Sequence, residues 1–208
     1  MKSFSINEAL SAGWAAFTSR VGFFIGLLLL WGGLTLIPQL IVKSIENTGL
    51  AIVLAIALQL FQIFLGVGGL RISLLILDGR PVSIGDLFSG GPVFVPYLLA
   101  TILFYLAASV GLALLVVPGI IVMVVFGYYP FFIIDQGLGP VDALKASAAL
   151  TEGVRLKLFG FGLVVILLYL LGALLVGLGL FVAAPVVLVS VAHVYRQLLS
   201  QTPRPQNI

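Results

Sequence analysis

Four long stretches of this chain contain no lysine, arginine, aspartate or glutamate, and their lengths constrain everything it can fold into. They cover residues 21–42, 47–70, 87–134 and 158–195. A helix rises about 1.5 Å per residue and crosses a bilayer in about 20 residues. The first two stretches are therefore single crossings. As one helix the third would reach roughly 70 Å and the fourth nearly 60 Å, so each must turn back on itself. Pro118-Gly119 marks the turn in the third, and Gly177-Leu178-Gly179, with Pro185 beyond, marks it in the fourth. Only 8% of the residues are charged, against about 25% in soluble domains, so there is no polar surface to cover such a chain in water. The bilayer is its solvent.

These lengths predict an all-α integral membrane protein of one domain, residues 1–208, with six transmembrane helices. The expected spans are residues 21–42, 49–70, 93–115, 118–134, 158–177 and 180–199. Six crossings put Lys2, Arg20, Arg71, Arg80, Lys145, Arg155, Lys157, Arg196 and Arg204 on one side, and Lys43 alone on the other, beside Glu46. Because retained cations mark the cytoplasmic side, both termini are expected in the cytoplasm.

Three short segments precede the odd-numbered spans and share a grammar. They begin at Ser5, Ser83 and Gly139, and each carries an acid three positions on, at Glu8, Asp86 and Asp142. Serine followed by an acid at that spacing is a capping box or close to one, and Pro140 suits a first helical position. Interfacial helices are expected over residues 5–19, 83–89 and 140–153, each feeding a hairpin of two spans. On a helical wheel Asp142, Lys145, Ala149 and Glu152 share one wedge, while Ile6, Leu10, Trp14 and Phe17 share a face of the first segment. Leu77-Asp78 and Ile134-Asp135 end spans two and four at an offset of 57 residues, which points to an internal repeat.

Candidate chemistry is sparse. There is no cysteine for a disulfide or a thiolate metal site, and the one histidine, His193, has no partner at ligand spacing. No nucleophile elbow and no phosphate-binding glycine loop occurs. The expectation is no catalytic, cofactor or metal site, and no nucleic acid partner despite the net charge of +3. Polar residues inside spans are the remaining candidates. Gln59 and Gln62 share a face of span two, Arg71 lies seven residues before Asp78, and Asp78 and Asp135 are a potential shared site.

Over Val117–Gly153 the chain resembles a known family. The shared residues are Pro118-Gly119, Asp135, Gly137, Ala143-Leu144, Ser147, Leu150-Thr151 and Gly153. They resemble the membrane domain found with some bacterial glycerophosphoryl diester phosphodiesterases, and a related family of uncharacterised bacterial inner-membrane proteins. Ala148 stands where relatives often carry an aromatic residue. The phosphodiesterase catalytic domain is a separate soluble barrel, so the resemblance implies a polytopic inner-membrane protein and lends no enzyme activity.

Two principal functions are consistent with this sequence. One is a non-enzymatic module that binds membrane lipid, or a membrane or cytoplasmic protein. Its candidate contacts to anionic headgroups are Arg20, Arg80, Lys145, Arg155 and Lys157. The other is a small transporter or lipid-translocating protein built on Gln59, Gln62 and Arg71. A third, an intramembrane enzyme, would need Asp78 and Asp135 as an indispensable titratable pair.

Overall fold

The structure, a computed structural model, describes residues 2–174 and 177–202. Arg204, and residues 175–176 of the fifth expected span, lie outside the described residues. The helices are α1 (Ile6–Ser19), α2 (Val21–Lys43), α3 (Thr48–Leu77), α4 (Gly91–Leu114), α5 (Val116–Phe126), α6 (Tyr129–Gln136), α7 (Pro140–Thr151), α8 (Arg155–Leu174) and α9 (Leu180–Ser200), with a 3₁₀ turn over Ile84–Phe88. Among the described residues, six helical stretches are long and apolar enough to cross a membrane: α2, α3, α4, α5 with α6, α8 and α9.

The starts of the short segments follow the cap chemistry. Ser5 Oγ accepts the Glu8 amide at 3.3 Å. The Ser83 amide donates to Asp86 Oδ2 at 2.7 Å. Gly139 precedes Pro140 at the first position of α7. The second segment closes as a 3₁₀ turn rather than an α-helix, and its backbone lies on Gly68 so closely that a Cβ there would overlap the Leu87 carbonyl.

Three spans differ from expectation. Helix α3 runs on past Arg71 to Leu77 and stops at Gly79, whose φ of +68° suits glycine. Arg71 does not end the helix because its guanidinium reaches sideways to the Ser89 carbonyl at 3.2 Å. The turn between α4 and α5 is the single extended residue Leu115, so Pro118-Gly119 sits within the first turns of α5. There Gly119 packs directly on Gly111, as Gly179 packs on Gly172 between α8 and α9. The fourth span is interrupted at Gly127-Tyr128.

Packing is concentrated at one end of the bundle. Phe4, Tyr128, Phe131, Ile133, Leu150, Tyr195 and Leu198 form one buried cluster, and Phe17, Phe24, Leu65, Ile72, Leu87 and Val189 form a second. The far halves of the spans expose apolar side chains, among them Leu36, Ile37, Ile52, Val53, Val110 and Leu170.

Helix α1 is docked along α9. The Ser3 amide donates to Gln201 Oε1 at 2.8 Å, Gln197 Nε2 donates to Glu8 Oε2 at 2.7 Å, and Gly13 sits against Val186 and Ser190. The packed face is Ala9, Gly13 and Phe17, whereas Trp14 is 55% exposed. Small residues win that face because they let two backbones approach. In Gly13→Ala the new Cβ overlaps the Val186 carbonyl and the Ser190 hydroxyl, and such overpacking costs about 1–3 kcal/mol. Gly22→Ala has nothing within 4 Å. Thermal unfolding of the purified protein, followed by tryptophan fluorescence, is expected to show a lower midpoint for Gly13→Ala and none of that loss for Gly22→Ala.

Candidate functional site

Spans two, four and six bring three charged side chains together. Asp78 caps the C-terminal end of α3, and Asp135 lies in the last turn of α6, which closes on Gly137 at a φ of +66°. A carboxylate at a helix C-terminus faces the negative end of the dipole, so each aspartate calls for a cation. Arg196 of α9 serves both. Its Nη2 lies 2.8 Å from Asp78 Oδ2 and 2.9 Å from Asp135 Oδ1, and its Nη1 lies 2.7 Å from Asp135 Oδ2. Tyr195 donates its hydroxyl to Asp135 Oδ2 at 2.9 Å and accepts from Gln136 Nε2 at 3.2 Å.

The cluster is anchored from beneath. Tyr195 is fully buried, stacked on Phe131 at 5.0 Å and edge-on to Phe132 at 5.3 Å. The side chains of Arg196, Asp78 and Asp135 are 28%, 38% and 19% exposed, so water reaches them unequally. Both oxygens of Asp135 are engaged, while Asp78 shares one. The two aspartates singled out in the sequence thus meet, and what joins them is an arginine that sequence reasoning had treated only as a topology signal. The available clue was position: Arg196 ends span six as Asp78 and Asp135 end spans two and four.

The polar residues of span two are not brought to this cluster. Gln59 is exposed in a groove of about 350 Å³ beside Thr101 and Tyr105. Gln62 is half-buried, and among the described residues neither glutamine makes a side-chain hydrogen bond. Arg71 holds the Ser89 carbonyl and does not pair with Asp78.

The headgroup candidates share a different property. Among the described residues, the ion pairs all belong to Arg196, so Arg20, Arg80, Lys145, Arg155 and Lys157 have no carboxylate partner. Arg80, Lys145 and Arg155 are exposed, and Lys157 lies 5.1 Å over the Phe4 ring. One guanidinium nitrogen of Arg20 is buried without a hydrogen bond.

The interrupted fourth span explains the motif around Ser147. Pro130 has no N–H, and its ring disrupts the preceding turn. The interruption frees the Val125 carbonyl and the Tyr128 amide from helical pairing, and groups freed in an apolar setting need partners. Helix α7 supplies them. Ser147 Oγ donates to the Val125 carbonyl at 2.9 Å and accepts from the Tyr128 amide at 3.1 Å. Thr151 adds a second donor to Val125 at 3.2 Å. Ala143, Ser147, Leu150 and Thr151 are all fully buried on this face, while Asp142, Lys145, Ala149 and Glu152 point outward as the wheel predicts. Beyond α7, two apolar grooves of about 520 and 450 Å³ run between α5 and α8.

Among the described residues no group of three His, Cys, Asp or Glu side chains lies close enough to hold a metal. Comparison with known proteins finds one family model, described as Domain of unknown function (DUF7847), over residues 82–202. No curated protein and no solved structure matches the chain.

Hydrogen bonds to charged groups contribute about 1.5–3 kcal/mol each, whereas exposed ion pairs contribute about 0–1. Asp135→Asn, which weakens contacts to Arg196 and Tyr195 together, is therefore expected to destabilise by about 2 kcal/mol. Asp78→Asn is expected to remain within about 1 kcal/mol of the parent. Thermal midpoints in one detergent check the order; equal losses would contradict a cluster centred on Asp135.

Proposed function

The chain belongs to the family described as Domain of unknown function (DUF7847), which assigns no activity, and we propose from its own residues a non-enzymatic membrane module that gathers anionic lipid headgroups. In this reading the protein lies in a bacterial cytoplasmic membrane with both termini inside, as three hairpins of spans each preceded by an interfacial segment. The start of the family match at residue 82, one residue before Ser83, falls at the opening of the second such unit. The likeness of Val117–Gly153 to phosphodiesterase membrane domains belongs to the same proposal, as a shared architecture. It is supported by the work Ser147 and Thr151 do at the interrupted span.

One observation carries the reading. Among the described residues, the cations flanking the short segments have no carboxylate partner, while Arg196 holds two. A cation near an anionic leaflet contributes about 1 kcal/mol of attraction, fading within a Debye length. Unpaired side chains keep that attraction available to lipid. The translocation reading draws on a separate feature, the exposed Gln59 in its groove with Thr101 and Tyr105.

The test compares the parent with Arg155→Gln/Lys157→Gln by native mass spectrometry, after exposure to equal amounts of phosphatidylglycerol and phosphatidylcholine. The parent is expected to retain phosphatidylglycerol selectively, and the variant to lose most of that selectivity. Identical profiles would leave the cations as topology signals and favour translocation. Orientation is checked separately. The chain contains no cysteine, so Lys43→Cys and Lys145→Cys each report one position. A membrane-impermeant thiol reagent is expected to label position 43 in intact cells, and position 145 only after the membrane is opened. The reverse would overturn the orientation.

A further inference from the structure

The two grooves between α5 and α8 have a shape and a charge that suit one kind of ligand. Both are bounded by Ile120, Val124 and Phe159, so the Phe159 ring stands between them. The larger passes Gly162 and Val191, and the smaller passes Val117 and Arg155. Thr151, four residues before Arg155, donates to the Val125 carbonyl, so the start of α8 lies at the Val125 end of the smaller groove, with Val117 at the other. Eight residues of α5 separate those ends, a length of about 12 Å. Each volume falls in the range of about 300–1,000 Å³ typical of small-molecule sites.

Charge is confined to one end. Arg155 is the charged residue lining the smaller groove, it is exposed, and it has no carboxylate partner among the described residues. Lys157 lies two residues on, and the positive end of the α8 dipole adds to both. Leu156, between them, is 83% exposed. An elongated apolar track with a bare cation at one end matches an anionic headgroup joined to hydrocarbon. Two tracks divided by one ring match two chains.

We propose that the α5–α8 face is a specific site for an anionic diacyl phospholipid, with one acyl chain on each side of Phe159 and the headgroup at Arg155. The proposal rests on the reading that the unpaired cations gather anionic lipid, and it adds a defined cleft to that diffuse attraction. The lipid would act as a wedge completing the contact between α5 and α8.

Gly162 makes the cleft testable. A Cβ there meets nothing within 4 Å, and Gly162 lines the larger track, so Gly162→Leu projects into it. Gly160 lies on the same helix, also has nothing within 4 Å, and borders neither groove; Gly160→Leu is the matched control. The full-length parent, both glycine variants and Arg155→Gln are purified, confirmed monodisperse, and incubated with equal amounts of phosphatidylglycerol and phosphatidylcholine bearing the same chains. Native mass spectrometry reads the bound lipid.

The parent and Gly160→Leu are expected to retain phosphatidylglycerol equally. Gly162→Leu is expected to lose roughly tenfold, the effect of displacing about two methylene groups from a buried chain. Arg155→Gln is expected to lose roughly fivefold for phosphatidylglycerol, the contribution of one cation, and little for phosphatidylcholine. Should Gly162→Leu bind like Gly160→Leu while Arg155→Gln loses selectivity, the cleft is wrong and the headgroup reading stands. A parent with no preference for phosphatidylglycerol overturns both.

Discussion

A backbone carbonyl and an amide freed in an apolar setting must find partners within the protein, and that requirement organises the second half of this chain. Pro130 interrupts the fourth span, and the Val125 carbonyl and Tyr128 amide are left over. Ser147 and Thr151, one turn apart on α7, satisfy both, which binds α7 to the interruption along a fully buried face. The position of α7 then sets where the chain turns at Gly153, with φ of +83°, and where α8 begins at Arg155. The cleft between α5 and α8 is thus a consequence of one proline and two hydroxyls. Placing a hydroxyl there stabilises more than its own bond, because the alternative is an unsatisfied group costing about 1–3 kcal/mol.

The Arg196 cluster solves a related difficulty at the helix ends. Two carboxylates sit where the helix dipole disfavours them, and one guanidinium answers both while Tyr195 fixes the closer one. The arrangement ties α3, α6 and α9 at a common point. It also bears on the enzyme reading: Asp135 already shares both oxygens with Arg196 and Tyr195, so an acid–base role would require breaking the contacts that hold the spans together.

Several of these features were legible in the sequence, and each for a physical reason. Gaps between charges report crossings because charge is costly in hydrocarbon, and all six expected spans correspond to long apolar helical stretches. Caps are local, so Ser5, Ser83 with Asp86, and Gly139 with Pro140 were readable from spacing. What spacing could not reach were partners far apart in the chain. Arg196 meets residues 61 and 118 positions away, and Ser147 meets one 22 away. On α1 the apolar wheel face and the face packed on α9 coincide only in part. In lipid the exposed face is as apolar as the packed one, so Trp14 faces outward and Ala9 and Gly13 face α9. Hydrophobicity separates inside from outside only when water is on one side.

That same loss of contrast explains why the spans are held by a few specific contacts. Where lipid replaces water no hydrophobic force draws the spans together, and association depends on close backbone contact and polar bonds. The close contacts are Gly13 on Val186, Gly111 on Gly119 and Gly172 on Gly179; the polar bonds are those of Ser147, Thr151 and Arg196. Most of these polar bonds cluster near the short segments, and the two buried clusters lie with them. Away from these contacts the spans expose apolar side chains, and grooves persist between them, those between α5 and α8 included. A bilayer fills such space with acyl chains in any case. What distinguishes the α5–α8 grooves is that one carries Arg155 at its end, with no carboxylate partner among the described residues; on the proposal above, that charge turns indifferent solvation by lipid into selection among lipids.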